Sequence, residues 1–277
     1  MHSNADTLLA QHPDIETVEA LITDCNGAAR GKWLPIEKLP ALLTDGIKLP
    51  KSAVAQDAWG RDVPRIALDN GDLDGWCQAV PDSLVPVLTA TGIDRAQVVL
   101  TMFKDDGAPL LSDPRQVLAQ VVDKLEKKGF FPRVAIELEF NLFRRPDANQ
   151  TLRDVLPAEN ETGGNLYGLS ALDEHAALFE ALKASFEAQD LPYEGVLKEA
   201  APAQYEINVA HSDDAVAYCD QVIRMQRCIR AVAERFGALA SFMPKPMENQ
   251  AGNGMHVHCS LLDTSGQNVF DSGDIEG

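Results

Sequence analysis

Positive charge is what this chain has least of. Lys and Arg total 24 against 42 Asp and Glu, a formal net charge of -18. Phosphate-backbone binding needs a basic face, so nucleic acid is not an expected partner. The acidic surplus suits cationic ligands or divalent metals, besides keeping the surface solvated. Long apolar runs are missing too. Nothing approaches the roughly 20 apolar residues that span a bilayer. No Lys or Arg precedes Arg30 and no signal-type apolar core follows the start, so neither a membrane partner nor secretion is expected. The cysteines (Cys25, Cys77, Cys219, Cys228, Cys259) are odd in number, scattered and never spaced Cys-x-x-Cys. A disulfide framework and a thiolate zinc site are both unexpected, and a reducing cytoplasm is the natural compartment. The chain also has no phosphate-binding Gly-x-x-x-x-Gly-Lys-Ser/Thr loop, no Gly-x-Ser-x-Gly nucleophile elbow and no dinucleotide fingerprint.

What is present is ordinary globular composition: 277 residues, 45% hydrophobic and 24% charged. That is enough for one large or two ordinary domains. No internal repeat or low-complexity tract interrupts it. The first hundred residues read as short strands and turns. Residues 17–24 form a strand, Asn26-Gly27 a turn and residues 31–34 a returning strand. Residues 98–103 are another strand, while Gly and Pro recurring between Gly60 and Gly92 imply long connections.

A helix follows, capped by Ser112 or Asp113, with Pro114 in its first turn and Leu118, Val121, Val122 and Leu125 as its apolar stripe. Two more helices are expected over 172–189 and 213–236, the second capped by Ser212. Strands at 193–198 and 240–242 follow them, and residues 149–168 read as a polar surface loop. The mixture predicts an α+β protein with helices packed on a largely antiparallel sheet.

Chemistry concentrates in four segments. In Arg133–Phe143, Ile136, Leu138, Phe140 and Leu142 alternate onto one strand face, leaving Glu137 and Glu139 together on the other. Either that face is solvated, or a cation relieves the repulsion between the two carboxylates. Glu199 and Glu206 bracket Pro202, which interrupts a ladder and allows a bend; the pair either converges or simply ends a loop. Gly252-Asn253-Gly254 leads into a strand with His256, His258 and Ser260 on one face, as metal-ligating or merely exposed histidines. Asp24 sits at a strand end beside a turn, as turn former or loop-borne base. Oxygen donors favour Mg²⁺ or Mn²⁺, and one imidazole is compatible with Mn²⁺. The residues by themselves lead to metal-assisted phosphate chemistry.

In this order the segments resemble the glutamine synthetase family: Asp24-x-Asn-Gly-x-x-Arg-Gly-Lys, Glu137-Leu-Glu-Phe-x-Leu-Phe, Glu199-Ala-Ala-Pro-Ala-Gln-Tyr-Glu206, and Phe242-Met-Pro-Lys-Pro with Gly-x-Gly-Met-His-Val-His-x-Ser-Leu. The resemblance implies a small β-grasp-like domain over residues 1–107. It implies the first part of a larger catalytic domain over 108–277, with an antiparallel sheet and packed helices. It also implies a homo-oligomer, usually a dodecamer, with sites between neighbours.

By motif match, Glu139, Glu199 and Glu206 would hold one divalent ion, and Glu137 and His256 a second. Glu194, His258 and Ser260 would lie beside ATP. Gly252 would line the glutamate pocket, and Asp24 would take a proton from the incoming amine in a neighbour's site. The implied reaction joins the glutamate γ-carboxylate to an amine through a γ-glutamyl phosphate. Ala251 resembles the branch that uses polyamines or other amines, although that branch usually has Ser in place of Asn253. Ordinary glutamine synthesis from ammonia and a non-catalytic scaffold or sensor are the alternatives. Family members run well beyond Gly277, so the 277-residue chain is expected to be inactive by itself.

Overall fold

The computed structural model describes residues 2–64, 71–89, 92–145, 165–271 and 273. They form two compact units, Met1–Gly129 and Phe130–Gly277.

The first unit opens with helix α1 (His2–Gln11). Strands β1 (Thr17–Thr23) and β2 (Ala29–Pro35) pair antiparallel around the Asn26-Gly27 turn, where Gly27 takes a φ of 71°. Helix α2 (Leu39–Asp45) follows, then β3 (Ile47–Pro50), β4 (Asp74–Ala79), β5 (Val85–Thr89) and β6 (Gly92–Phe103). The sheet order is β2-β1-β6-β4-β3, with β5 also on β6. The β1–β6 pairing is parallel, an exception to the antiparallel expectation. Val18, Ala20 and Ile22 of β1 share the core with Ala96, Val98, Leu100 and Met102 of β6, as period-two alternation requires. Strands β4 and β5 lie where only connections were expected, because Gly75 and Pro86 sit inside strands here.

Gly31 closes the β1–β2 pair. Its φ is +144°, and a Cβ there would stand 1.8 Å from the Ala20 carbonyl oxygen. Only a residue without a side chain allows this approach.

Helix α3 (Pro114–Glu126) ends the unit. Asp113 is its N-cap: one carboxylate oxygen accepts from the Arg115 amide at 2.9 Å. The other accepts from the Thr101 hydroxyl at 3.0 Å and the Met102 amide at 2.8 Å. Gln116, the buried residue of this helix, donates to the Thr101 hydroxyl at 2.9 Å. The expected apolar stripe is not buried; Val121 is 46% exposed. Polar contacts at its first turn, not the stripe, fix this helix within its unit.

Burial pushes the Asp113 carboxyl above its ordinary value, against the opposing effect of its hydrogen bonds. The folded state therefore holds this proton more tightly than the unfolded chain. The associated stability declines as pH rises from about 3.9 through the raised value. NMR titration of the Asp113 carboxyl carbon should give a midpoint above about 3.9; a lower midpoint would refute this.

The second unit is built on β7 (Phe131–Arg144). Helices α4 (Leu169–Glu174) and α5 (Ala176–Ala188) precede β8 (Tyr193–Lys198) and β9 (Gln204–Val209). Helix α6 (Ala215–Arg235), β10 (Ala238–Ser241) and β11 (Val257–Leu262) complete it. The order is β10-β7-β9-β8, with β11 also on β7, and every pairing is antiparallel.

The single helix expected over 172–189 is two. His175 leaves helical geometry (φ -114°, ψ 19°), and its ring meets Tyr205 edge-on with centroids 5.8 Å apart. Helix α6 is capped by Asp214, whose carboxylate accepts from the Val216 and Ala217 amides, and not by Ser212. Most of the polar loop expected over 149–168 lies outside the described residues. Phe140, Phe179, Phe186, Tyr205, Met225 and Ile229 pack into one core between the sheet and helices α5 and α6. The Tyr218 hydroxyl joins strand and helix: it donates to the Val209 carbonyl and accepts from the Ile136 amide.

Candidate metal centre

The β7–β9 register sets the site. Glu139 stands opposite Glu206, Glu137 opposite Asn208 and Asn141 opposite Gln204. Partners in register share a face, and their neighbours Leu138, Phe140, Tyr205 and Ile207 occupy the core face. The sheet therefore gathers its polar side chains on the face away from the core. Like charges directly opposite one another repel, so the Glu139–Glu206 pair costs stability unless it is compensated.

Strand β11 brings a third element. The Glu137 amide donates to the His256 carbonyl at 3.1 Å, and Val257 pairs with Ile136. His256 Nδ1 lies 3.0 Å from one Glu137 carboxylate oxygen, and His258 Nε2 lies 3.3 Å from the other. Ligand atoms of Glu137, Glu206 and His256 all fall within 4.8 Å of one another.

Glu206 is 6% exposed and accepts from Asn208 Nδ2 at 2.8 Å. Its carboxyl is raised above its ordinary value, first by burial and then by the charges of Glu137, Glu199 and Glu139. Two carboxylates and one imidazole, with repulsion left over, form a donor set that fits a hard or borderline divalent cation such as Mg²⁺ or Mn²⁺.

The motif match and the geometry group these ligands differently. Glu206, matched to the ion of Glu139 and Glu199, here clusters with Glu137 and His256. Glu139 is buried, and one of its oxygens accepts from Gln204 Nε2 at 2.8 Å. Glu199 turns its carboxylate onto the Ala200 amide at 3.0 Å, although its charge still reaches Glu206.

The other candidate residues are distributed around this centre. Glu137, Glu194, Asn208 and His258 line one pocket of about 250 Å³ with Ala135, Ile136, Gly195 and Val209. Ser260 pairs with Arg133 further along β11 and does not line it. Gly252 belongs to the loop before His256; a Cβ there would lie 2.3 Å from the Pro244 carbonyl oxygen. A Cβ on Gly254 would lie 2.9 Å from a Glu139 oxygen, so this glycine lets the loop pass directly over the carboxylate.

Asp24 belongs to the other unit and is fully buried. One carboxylate oxygen accepts from the Asn26 and Ala28 amides. The other accepts from Arg30 Nε and pairs with its Nη2, each at 2.9 Å. In this arrangement Asp24 holds the β1–β2 turn. Gln204, Asn208 and Arg30 were not singled out from sequence. The Gln204-Glu206-Asn208 alternation was the available signal for the first two.

An α+β fold whose antiparallel sheet carries carboxylates and a histidine at one cluster defines a candidate metal-dependent catalytic domain. The chain belongs to the glutamine synthetase family: the family's "Glutamine synthetase, catalytic domain" model matches residues 111–276. It is 36% identical to the gamma-glutamylputrescine synthetase PuuA of Escherichia coli, over 97% of this chain and 57% of that protein. It is 27% identical to a glutamate–isopropylamine ligase of a Pseudomonas species, over 93% of this chain and 56% of that one. The chain thus spans little more than half the length of these relatives. A solved structure of GmaS without ligand superposes with a TM-score of 0.81 at 24% identity, covering 100% of this chain and 61% of that one. This last likeness concerns the fold. The family model starts ahead of α3, whereas the compact units divide after it, at Gly129. Among the described residues, no helix is long and apolar enough to cross a membrane.

Proposed function

We propose that this chain is part of an ATP-dependent ligase that joins the glutamate γ-carboxylate to an amine through a γ-glutamyl phosphate. The observation that carries this reading is the Glu137–Glu206–His256 cluster beside the pocket shared by Glu137, Glu194 and His258. A carboxylate is a poor electrophile, and phosphorylation turns its oxygen into a leaving group. Bound Mg²⁺ or Mn²⁺ would neutralise phosphate oxygens during transfer. Glu137, Glu206 and His256 would hold such ions, with Glu139 and Glu199 completing their shells. Glu194 and His258 would face the nucleotide across the pocket, Ser260 would lie further along the same strand, and Gly252 would line the glutamate side.

The amine must lose a proton before or during attack, since an alkylammonium has a pKa of roughly 10 and no free lone pair. Asp24 is the assigned acceptor, in the site of a neighbouring subunit of a dodecamer. That role requires Arg30 to release its carboxylate, because Asn26, Ala28 and Arg30 now occupy both oxygens. Residues 1–107 are assigned to the domain carrying this loop. The name of the relative at 36% identity, a putrescine ligase, supports an amine larger than ammonia.

Phosphate release by the complete enzyme should require glutamate together with putrescine or another alkylamine. Turnover with ammonia and none with any amine would replace this reading with ordinary glutamine synthesis. Absence of both Mn²⁺ and ATP binding in calorimetry would leave only a scaffold or sensor.

A further inference from the structure

We infer that Gln204 is a positioning residue that couples the 242–254 loop to the metal face. Gln204 is fully buried at the start of β9, where Glu199-to-Val209 turns back onto β7. Its side-chain oxygen accepts from the Ala201 amide at 2.8 Å, which directs its nitrogen the other way. That nitrogen faces three acceptors: Glu139 Oε2 at 2.8 Å, the Gly252 carbonyl at 2.9 Å and Asn253 Oδ1 at 3.2 Å.

The Asn253 orientation is set independently. Its Nδ2 donates to the Met243 carbonyl at 2.9 Å and the Ser241 carbonyl at 3.3 Å, so its oxygen must be the atom turned to Gln204. The Asn253 amide also donates to the Pro244 carbonyl at 2.9 Å. The Gln204 carboxamide thus joins a carboxylate of the metal face to the Gly252-Asn253 limb of the loop, and Asn253 ties that limb to Ser241, Met243 and Pro244 on the other. Asn253 uses its side chain to hold the loop together, which accounts for an amide at a position where a serine hydroxyl would reach fewer partners.

The consequence is energetic coupling. Charge arriving at Glu139 changes how strongly that carboxylate holds Gln204, and Gln204 holds Gly252 and Asn253. By linkage, anything that orders the loop must favour the cation by the same factor. This rests on the cation-site reading above.

The test uses Mn²⁺ as probe and two measurements on the same protein: calorimetric affinity, and amide hydrogen exchange at Gly252, Asn253 and Gly254. In the unmodified protein, Mn²⁺ should bind and slow exchange at those amides. Gln204→Met keeps the volume and removes the clamp. Mn²⁺ affinity should fall about 10–100-fold, the range for an outer-shell partner, and loop exchange should no longer respond to the ion. If Gln204→Met fails to fold by circular dichroism, Asn253→Ala carries the test: Mn²⁺ should still bind while the loop response is lost. Unaltered affinity in Gln204→Met, or an intact loop response in Asn253→Ala, overturns the coupling alone. No Mn²⁺ binding by the unmodified protein overturns the cation site itself, and the coupling with it.

Discussion

Glu137→Gln is expected to weaken Mn²⁺ binding by more than about 100-fold, since even outer-shell partners of a metal site cost about 10–100-fold. Glu137 stands at the centre of the cluster, with His256 on one oxygen and His258 on the other. The amide keeps the shape and removes the charge. The backbone bond from residue 137 to the His256 carbonyl does not involve the side chain, so the strands should stay in place. The cation-free protein should be no less stable than the parent, because the substitution removes one of the charges that burden Glu206. Calorimetry with Mn²⁺ measures the first effect and urea unfolding the second. Undiminished affinity would take Glu137 out of the cation site.

The second large effect concerns the other unit. Gly31→Ala should destabilise the protein by about 4–5 kcal/mol or more, the range reserved for named steric failures. Two independent obstacles coincide there: a φ of +144°, which L residues rarely adopt, and the Ala20 carbonyl oxygen 1.8 Å from the new Cβ. The obstacle is backbone, so no side chain can rotate away. Strand β1 is held on its other edge by β6, and β2 would have to leave the ladder to make room. Urea unfolding should show the loss; a change below about 1 kcal/mol would mean that β2 relaxes freely.

Much of this was legible in the sequence, for a definite reason. Strand β7 announces itself because its apolar side chains alternate without a break, and α6 because Val222, Met225, Ile229 and Val232 repeat at helical spacing. Period and burial agree there, so local pattern and fold coincide. The misses lie where tertiary context decides. Strands β4 and β5 contain Gly or Pro, and neighbouring strands rather than propensity hold them extended. Helix α3 has the right stripe, yet the stripe is at most half-buried, and the Asp113–Thr101–Gln116 network anchors the helix. At the candidate site, the acids and histidines were visible as residue types. What could not be read was pairing: Glu139 facing Glu206 depends on the register between strands more than 60 positions apart in sequence. Gln204 shares the strand face of Glu206 in the sequence pattern, but the acceptors of its carboxamide are brought together only by the fold.

Strand β7 has one edge occupied by β9. The opposite edge is divided: β10 takes residues 141–144, and β11 takes residues 131–136. The chain between β10 and β11 therefore leaves and rejoins the same edge of one rigid strand, spanning only the stretch from Ile136 to Asn141. The excursion is itself tied down by Phe242 on Phe140 and by Gln204 on Gly252 and Asn253, so its length can change between those ties while both anchor points on β7 stay in place. Loops on such fixed footings tolerate length change well. The excursion between those ties can therefore vary as a unit over a carboxylate face that stays fixed.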